Sequence, residues 1–146
     1  MRLPAHLFLS AALLLAMAGP ALADGFIGTV RTFEGEARVV RDGVAYPAET
    51  GFHILANDVL ETGDGALGVI FRDDTAITLG PHTEIIVDSF VFDPAGDNIE
   101  FATEMIRGSA MFVTGQIAKI NPEAFRLETP KATIGIRGTR FIVDLD

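Results

Sequence analysis

No cysteine occurs in the 146 residues. That excludes a disulfide, a cysteine nucleophile and a lipidated N-terminal cysteine. Tryptophan is also absent, and a single tyrosine stands against 11 phenylalanines. Sugar-binding platforms stack on exposed Trp and Tyr, whereas Phe suits a core, so the aromatic set argues against a lectin. Bases are scarce, with 11 Lys and Arg facing 20 Asp and Glu. Such a balance argues against a nucleic-acid face, whose phosphates need a basic patch, and against adsorption on anionic lipid. Its simplest reading is solubility.

Catalytic chemistry has little to build on. The serines are Ser10, Ser89 and Ser109, and none lies in a G-x-S-x-G elbow. Beyond the N-terminal stretch the histidines are His53 and His82, with no H-x-x-x-H or H-E-x-x-H spacing to hold a metal. His82 follows Pro81 in an apparent turn, and His53 reads as a strand residue at a partly buried edge. Asp73-Asp74 and Asp93-Pro94-Ala95-Gly96-Asp97-Asn98 supply oxygens but not the calcium-loop pattern, and Asp and Asn are ordinary turn residues. Adjacent carboxylates diverge, so Asp73 and Asp74 make a poor glycosidase pair. The expectation is a protein that is not an enzyme, with no metal and no cofactor.

The first 23 residues read as a signal peptide. Arg2 gives a positive start, Leu7 to Met17 a short apolar core, and Ala21-Leu22-Ala23 an A-x-A cleavage pattern before Asp24. The run is too short for a comfortable membrane span and Pro20 breaks it. No other stretch could span a membrane. Cleavage takes one base, Arg2, and leaves 10 bases against 20 acids over 24–146, a formal charge of −10 on what fits one domain. The mature chain is expected to be periplasmic or secreted.

Along that chain strand signals recur and helix signals are almost absent. Phe26 to Thr32 and Glu36 to Arg41 flank a turn at Gly35, and Asp42-Gly43 is the strongest short hairpin signal, of type I′. Leu67, Val69 and Phe71 alternate with Gly68 and Ile70, Asp73-Asp74 turns the chain into Thr75 to Leu79, and Thr83 to Phe92 is a longer strand. Ile99 to Ile106 is open between strand and helix. Gly108 to Thr114 returns to strand, and Phe125, Leu127 and Thr129 alternate with Arg126 and Glu128. Gln116 to Ile120 could be one helical turn but is too short to nucleate alone. Short strands with turns every eight to twelve residues or so predict an all-β, two-layer β-roll or β-sandwich of about ten short strands.

The closing stretch, Thr129 to Asp146, sets Gly135 and Gly138 around Ile136-Arg137 within a strand-like run. Glycine weakens a strand, so the pair predicts a bulge, a sharp bend or a close backbone approach. The reading is a strand that starts after Pro130, bends from Gly135 to Gly138 and resumes through Phe141-Ile142-Val143. Either Thr139 to Leu145 closes the fold, or the sequence is a piece of a longer protein.

That stretch resembles the signature ending the domain of the FecR family, a Thr-Pro pair followed by an alanine and an apolar-Arg-Gly-Thr segment. The resemblance continues in order through Gly28-Thr29-Val30, Gly35-Glu36-Ala37-Arg38-Val39, Asn57-Asp58-Val59-Leu60-Glu61-Thr62-Gly63, Leu67 to Thr75, Ile77-Thr78-Leu79-Gly80-Pro81 and Arg107 to Val113. Asn57 and Asp74 stand where the family usually has glycine, and both residue types tolerate a left-handed turn. The resemblance implies a periplasmic domain of a regulator that senses an outer-membrane transporter and signals to a sigma factor. This chain reads as carrying a leader where those regulators have a cytoplasmic part and a span, so transporter sensing is not carried over.

What remains is an exported, non-enzymatic interaction or sensing module whose partner is an unidentified envelope protein. The candidate binding residues are Gly135, Ile136, Arg137, Gly138 and Thr139. Held between glycines, the Arg137 guanidinium could grip a partner's carboxylate beside exposed N–H groups, or bond a neighbouring Asp or turn carbonyl and lock the last strands. The alternative is a ligand- or glycan-binding β domain. The sequence leaves the oligomeric state open.

Overall fold

The computed structural model describes residues 25–136 and 138–145. The leader expected over 1–23 lies outside the described residues, as do Asp24, Arg137 and Asp146. The fold is all-β, with twelve strands where about ten were expected, two of them only two residues long.

The chain opens with β1 (Gly28–Glu34), β2 (Ala37–Arg41) and β3 (Val44–Pro47). Asp42 and Gly43 join β2 to β3 with φ of 51° and 79°, the paired positive values of a type I′ turn. There follow β4 (His53–Ile54), β5 (Val59–Thr62), β6 (Ala66–Phe71), β7 (Ala76–Leu79) and β8 (Glu84–Asp93). The last elements are β9 (Asn98–Val113), α1 (Gln116–Ile120), β10 (Phe125–Glu128), β11 (Thr133–Ile134) and β12 (Arg140–Leu145). Asn57 and Asp74, the two residues in place of glycine, have φ of 70° and 71°, so the left-handed turns survive the substitutions.

The strands curl into a roll in the order β3-β2-β5-β8-β9-β7-β6-β1-β4. The hinge of the roll is β9, a 16-residue strand that belongs to both layers. Its first part pairs with β8 and, in parallel, with β10; its last part pairs with β7 and β12. Between them Gly108 has φ of +92°, where an added Cβ would run into Thr83. Only glycine makes this turn from one layer to the other without strain. The stretch from 99 to 106, open in sequence, is strand: Phe101, Thr103 and Met105 are buried and alternate with half-buried neighbours.

Leu60, Ile85, Met105 and Leu127 of one layer face Leu67, Ile77, Leu79 and Phe112 of the other, all buried. Phe71, Phe90, Phe101 and Phe125 form an aromatic cluster with centroids 4.7 to 5.9 Å apart. This is the use of phenylalanine that the composition predicts.

Candidate functional site

The family-like motifs divide sharply once their side chains are traced. Asp58 is buried and takes a bidentate ion pair from Arg41, Nε to Oδ1 at 2.9 Å and the terminal nitrogen to Oδ2 at 2.7 Å. It also accepts the Leu55 N–H, while Arg41 donates to the His53 carbonyl and lies over the rings of Tyr46 and Phe52. The hydrogen bond to Asp58 raises the Arg41 pKa above its ordinary value. Planar, two-pronged pairing satisfies a buried carboxylate with one partner.

Thr62 and Thr83 form a second internal knot. Thr62 donates to the Gly80 carbonyl at 2.6 Å and accepts the Thr83 N–H at 3.0 Å. Thr83 in turn donates to the Ser109 carbonyl and accepts the Ser109 N–H, stitching the β9 bend to the β7–β8 turn. Asp73 and Thr75 form a third. The Asp73 carboxylate accepts from the Thr75 hydroxyl at 2.8 Å and the Ile117 N–H at 3.1 Å, and its carbonyl accepts the Gln116 N–H at 2.7 Å. Thr75 accepts the Gly115 N–H. The donors at the start of α1 are thus met by a distant turn, which is how a five-residue helix persists. Asp74, by contrast, is exposed and bonds Gln116, so the two adjacent carboxylates diverge as expected.

The histidines lie apart from these knots. His53 is in the edge strand β4, more exposed than expected, with its ring stacked on Phe26 at 4.1 Å. His82 lies in a turn with φ of 53° and a side chain 70% exposed, its Nε2 2.9 Å from Asp64. No group of three or more His, Asp and Glu with metal-site geometry forms among the described residues.

The closing signature behaves differently. Thr129 folds back on its own turn, its hydroxyl accepting from Lys131 and Ala132. The strand begins at Thr133, breaks after Ile134 and resumes at Arg140, so the bend predicted from Gly135 to Gly138 is present. Its purpose is a change of layer: β11 pairs with β10, whereas β12 pairs with the far part of β9. Gly138, with φ of +84°, makes the turn. Gly135 has open space where a Cβ would point, so it marks no close backbone approach.

Within that bend Gly135, Gly138 and Thr139 are exposed and Ile136 is half-buried; Arg137 lies outside the described residues. The loop is anchored through the Thr139 carbonyl, which accepts the Thr114 N–H at 2.8 Å. Three shallow grooves meet along it. One of about 590 Å³ runs between Ile134 to Ile136 and β12. A second of about 390 Å³ lies between Ile136, Gly138 and Thr139 and the Ala118-Lys119 end of α1. A third of about 320 Å³ separates Ile134 to Ile136 from Pro122, Glu123 and Arg126. Sequence reasoning placed the loop but not its neighbours, since α1 and β12 reach it only through the roll.

Among known proteins, a family model described as FecR protein matches residues 58–146. No curated protein matches the chain, and no solved structure does. FecR domains are sensing and signalling modules on the periplasmic side of the cell envelope, a regulatory rather than an enzymatic family. The match starts at the Asp58 knot; outside it, β1 and β2 pair with β6 and β5 and carry β4 and β3 on their far edges, completing the same roll. Matched over more than half its length, the chain belongs to the FecR family.

Proposed function

We propose that this chain is an exported, non-enzymatic recognition module of the cell envelope that seats a partner protein on its 135–139 loop. Residues 1–23 serve as the cleaved leader, and 24–146 act as one β domain in the periplasm or outside the cell. No helix among the described residues is long and apolar enough to cross a membrane.

One observation carries the reading. Asp58, Thr62, Asp73 and Thr75 spend their polar groups inside the fold and Thr129 spends its hydroxyl on its own turn, whereas Gly135, Gly138 and Thr139 present exposed surface between three grooves. Glycines there keep the backbone accessible, so a partner can reach main-chain N–H groups while Arg137 offers a fork for a carboxylate. Lys119 in a flanking groove suits the same acidic partner. The ligand or glycan alternative has less behind it, because the single tyrosine, Tyr46, is engaged with Arg41.

The test has two parts. N-terminal sequencing of the exported chain should begin at Asp24, and a chain retaining its leader would contradict export with cleavage. In a pull-down from an envelope extract, the wild-type domain should retain a protein that I136D and R137A lose and V44K, on β3, keeps. Equal capture by all variants, or none by the wild type, would remove the loop from the account.

A further inference from the structure

Among the described residues, strand β12 has a partner along one edge only: β9 pairs with it from Arg140 to Leu145, and its other edge borders the groove of about 590 Å³. Its residues alternate cleanly. Phe141, Val143 and Leu145 are half-buried or buried, while Arg140, Ile142 and Asp144 are exposed. Ile142, at 71%, is the most exposed large apolar residue among those described. A free edge with an apolar groove beside it is a template for another strand.

The outward triplet says which strand fits. In an antiparallel pair centred on Ile142, Arg140 of one copy lies opposite Asp144 of the other, twice over, and Ile142 lies opposite Ile142 on the two-fold axis. The inward Phe141 and Val143, which line the groove, lie opposite each other across the pair, so the grooves of the two copies adjoin. A slip of two residues in either direction sets Ile142 against Arg140 or Asp144, and an odd slip mixes inward with outward side chains. One register therefore matches opposite charge with opposite charge and apolar with apolar. Charged residues on an edge strand ordinarily deter pairing. Here they are complementary to their own copy, so that deterrent does not operate between two molecules of this chain.

We infer that the protein forms a two-fold symmetric dimer through antiparallel pairing of β12 with β12 of a second copy, joining the two rolls edge to edge. The inference goes beyond the envelope-binding reading and does not depend on it, although the two share the groove of about 590 Å³ that Gly135 and Ile136 line together with β12.

Sedimentation velocity of the mature chain over a dilution series, with a charge-exchange cycle at the two outward ends of β12, tests it. Wild type should show a concentration-dependent dimer. R140E alone and D144R alone set like charges opposite each other and should each weaken the dimer at least about tenfold. The R140E/D144R double exchange restores opposite signs and should return the dimer to within a few-fold of wild type. I142K, which puts two cations on the axis, should give monomer with an unchanged far-UV CD spectrum. Alternate β12 amides should gain hydrogen-exchange protection as concentration rises. A monomer at every concentration, or a dimer indifferent to the exchanges, would overturn the inference. So would β12 amides that become protected only when an envelope extract is added, since the edge would then belong to another protein. Because the double exchange leaves Ile136 and Arg137 untouched, loss of envelope capture and loss of the dimer remain separate results.

Discussion

The Asp73 carboxylate accepts the backbone N–H of Ile117 at 3.1 Å across a separation of 44 residues. That bond ties the β6–β7 turn to the start of α1 and so fixes the helix that walls one groove of the loop.

Removing this acceptor should be costly. With Asp73 buried, D73A strands the Thr75 hydroxyl and the Ile117 amide, and the expected loss is about 3 kcal/mol. T75V, which removes one hydroxyl from the same knot, should cost about 1–2 kcal/mol. Urea unfolding followed by CD checks both, with the slope unchanged if the fold is retained. A D73A chain as stable as wild type would mean that the knot contributes nothing to the fold.

Three glycines should rank by their surroundings. Gly108 combines positive φ with a Cβ position blocked by Thr83, so G108A should lose about 3 kcal/mol or more. Gly138 has positive φ but open space, and G138A should lose about 1–2 kcal/mol. Gly135 has open space and no positive φ, so G135A should lie within about 0.5 kcal/mol of wild type. Thermal and chemical denaturation give the order directly; a large loss in G135A would restore the close approach that the sequence suggested.

Asp88 offers a pH signature. Partial burial, and secondarily the Glu128 carboxylate, raise its pKa. An acid whose pKa rises on folding binds its proton more tightly in the native state. Its contribution to stability therefore falls as pH climbs through the carboxylate range and stays low above it. D88N should match wild type at acid pH and exceed it at neutral pH, by tenths of a kcal/mol on the order expected for a screened, exposed group. A D88N chain less stable than wild type at pH 7 would contradict this. Denaturation at matched ionic strength makes the comparison.

Much of the architecture was legible because it is written in local chemistry. Asp42-Gly43 specifies a type I′ turn, the Asp73-Asp74 turn leads into β7, and the spacing of Leu67, Val69 and Phe71 and of Phe125 and Leu127 marks β6 and β10. The break from Gly135 to Gly138 was legible for the same reason. What escaped is what depends on distance along the chain. Residues 99–106 and 108–114 looked like separate elements, because a glycine that bends one strand and a glycine that ends it look the same in sequence. Asp58 pairs with Arg41, 17 residues away, and Asp73, which supplies oxygens like a ligand in sequence, bonds Ile117, 44 residues away, so both acids prove to be internal ties. The strand through Phe141-Ile142-Val143 was legible, but that Arg140, Ile142 and Asp144 form its outward face follows only once β12 is set beside β9.

The central claim is that the 135–139 loop is the recognition surface while the rest of the family-like signature holds the fold. Site-specific photo-crosslinking in the living cell tests it most directly, with the photoreactive residue at Ile136 and, in a parallel strain, at Val44 on β3. The account predicts a discrete adduct with an envelope protein from position 136 and none from position 44. Adducts from position 44 alone, or equal labelling from both, would contradict it.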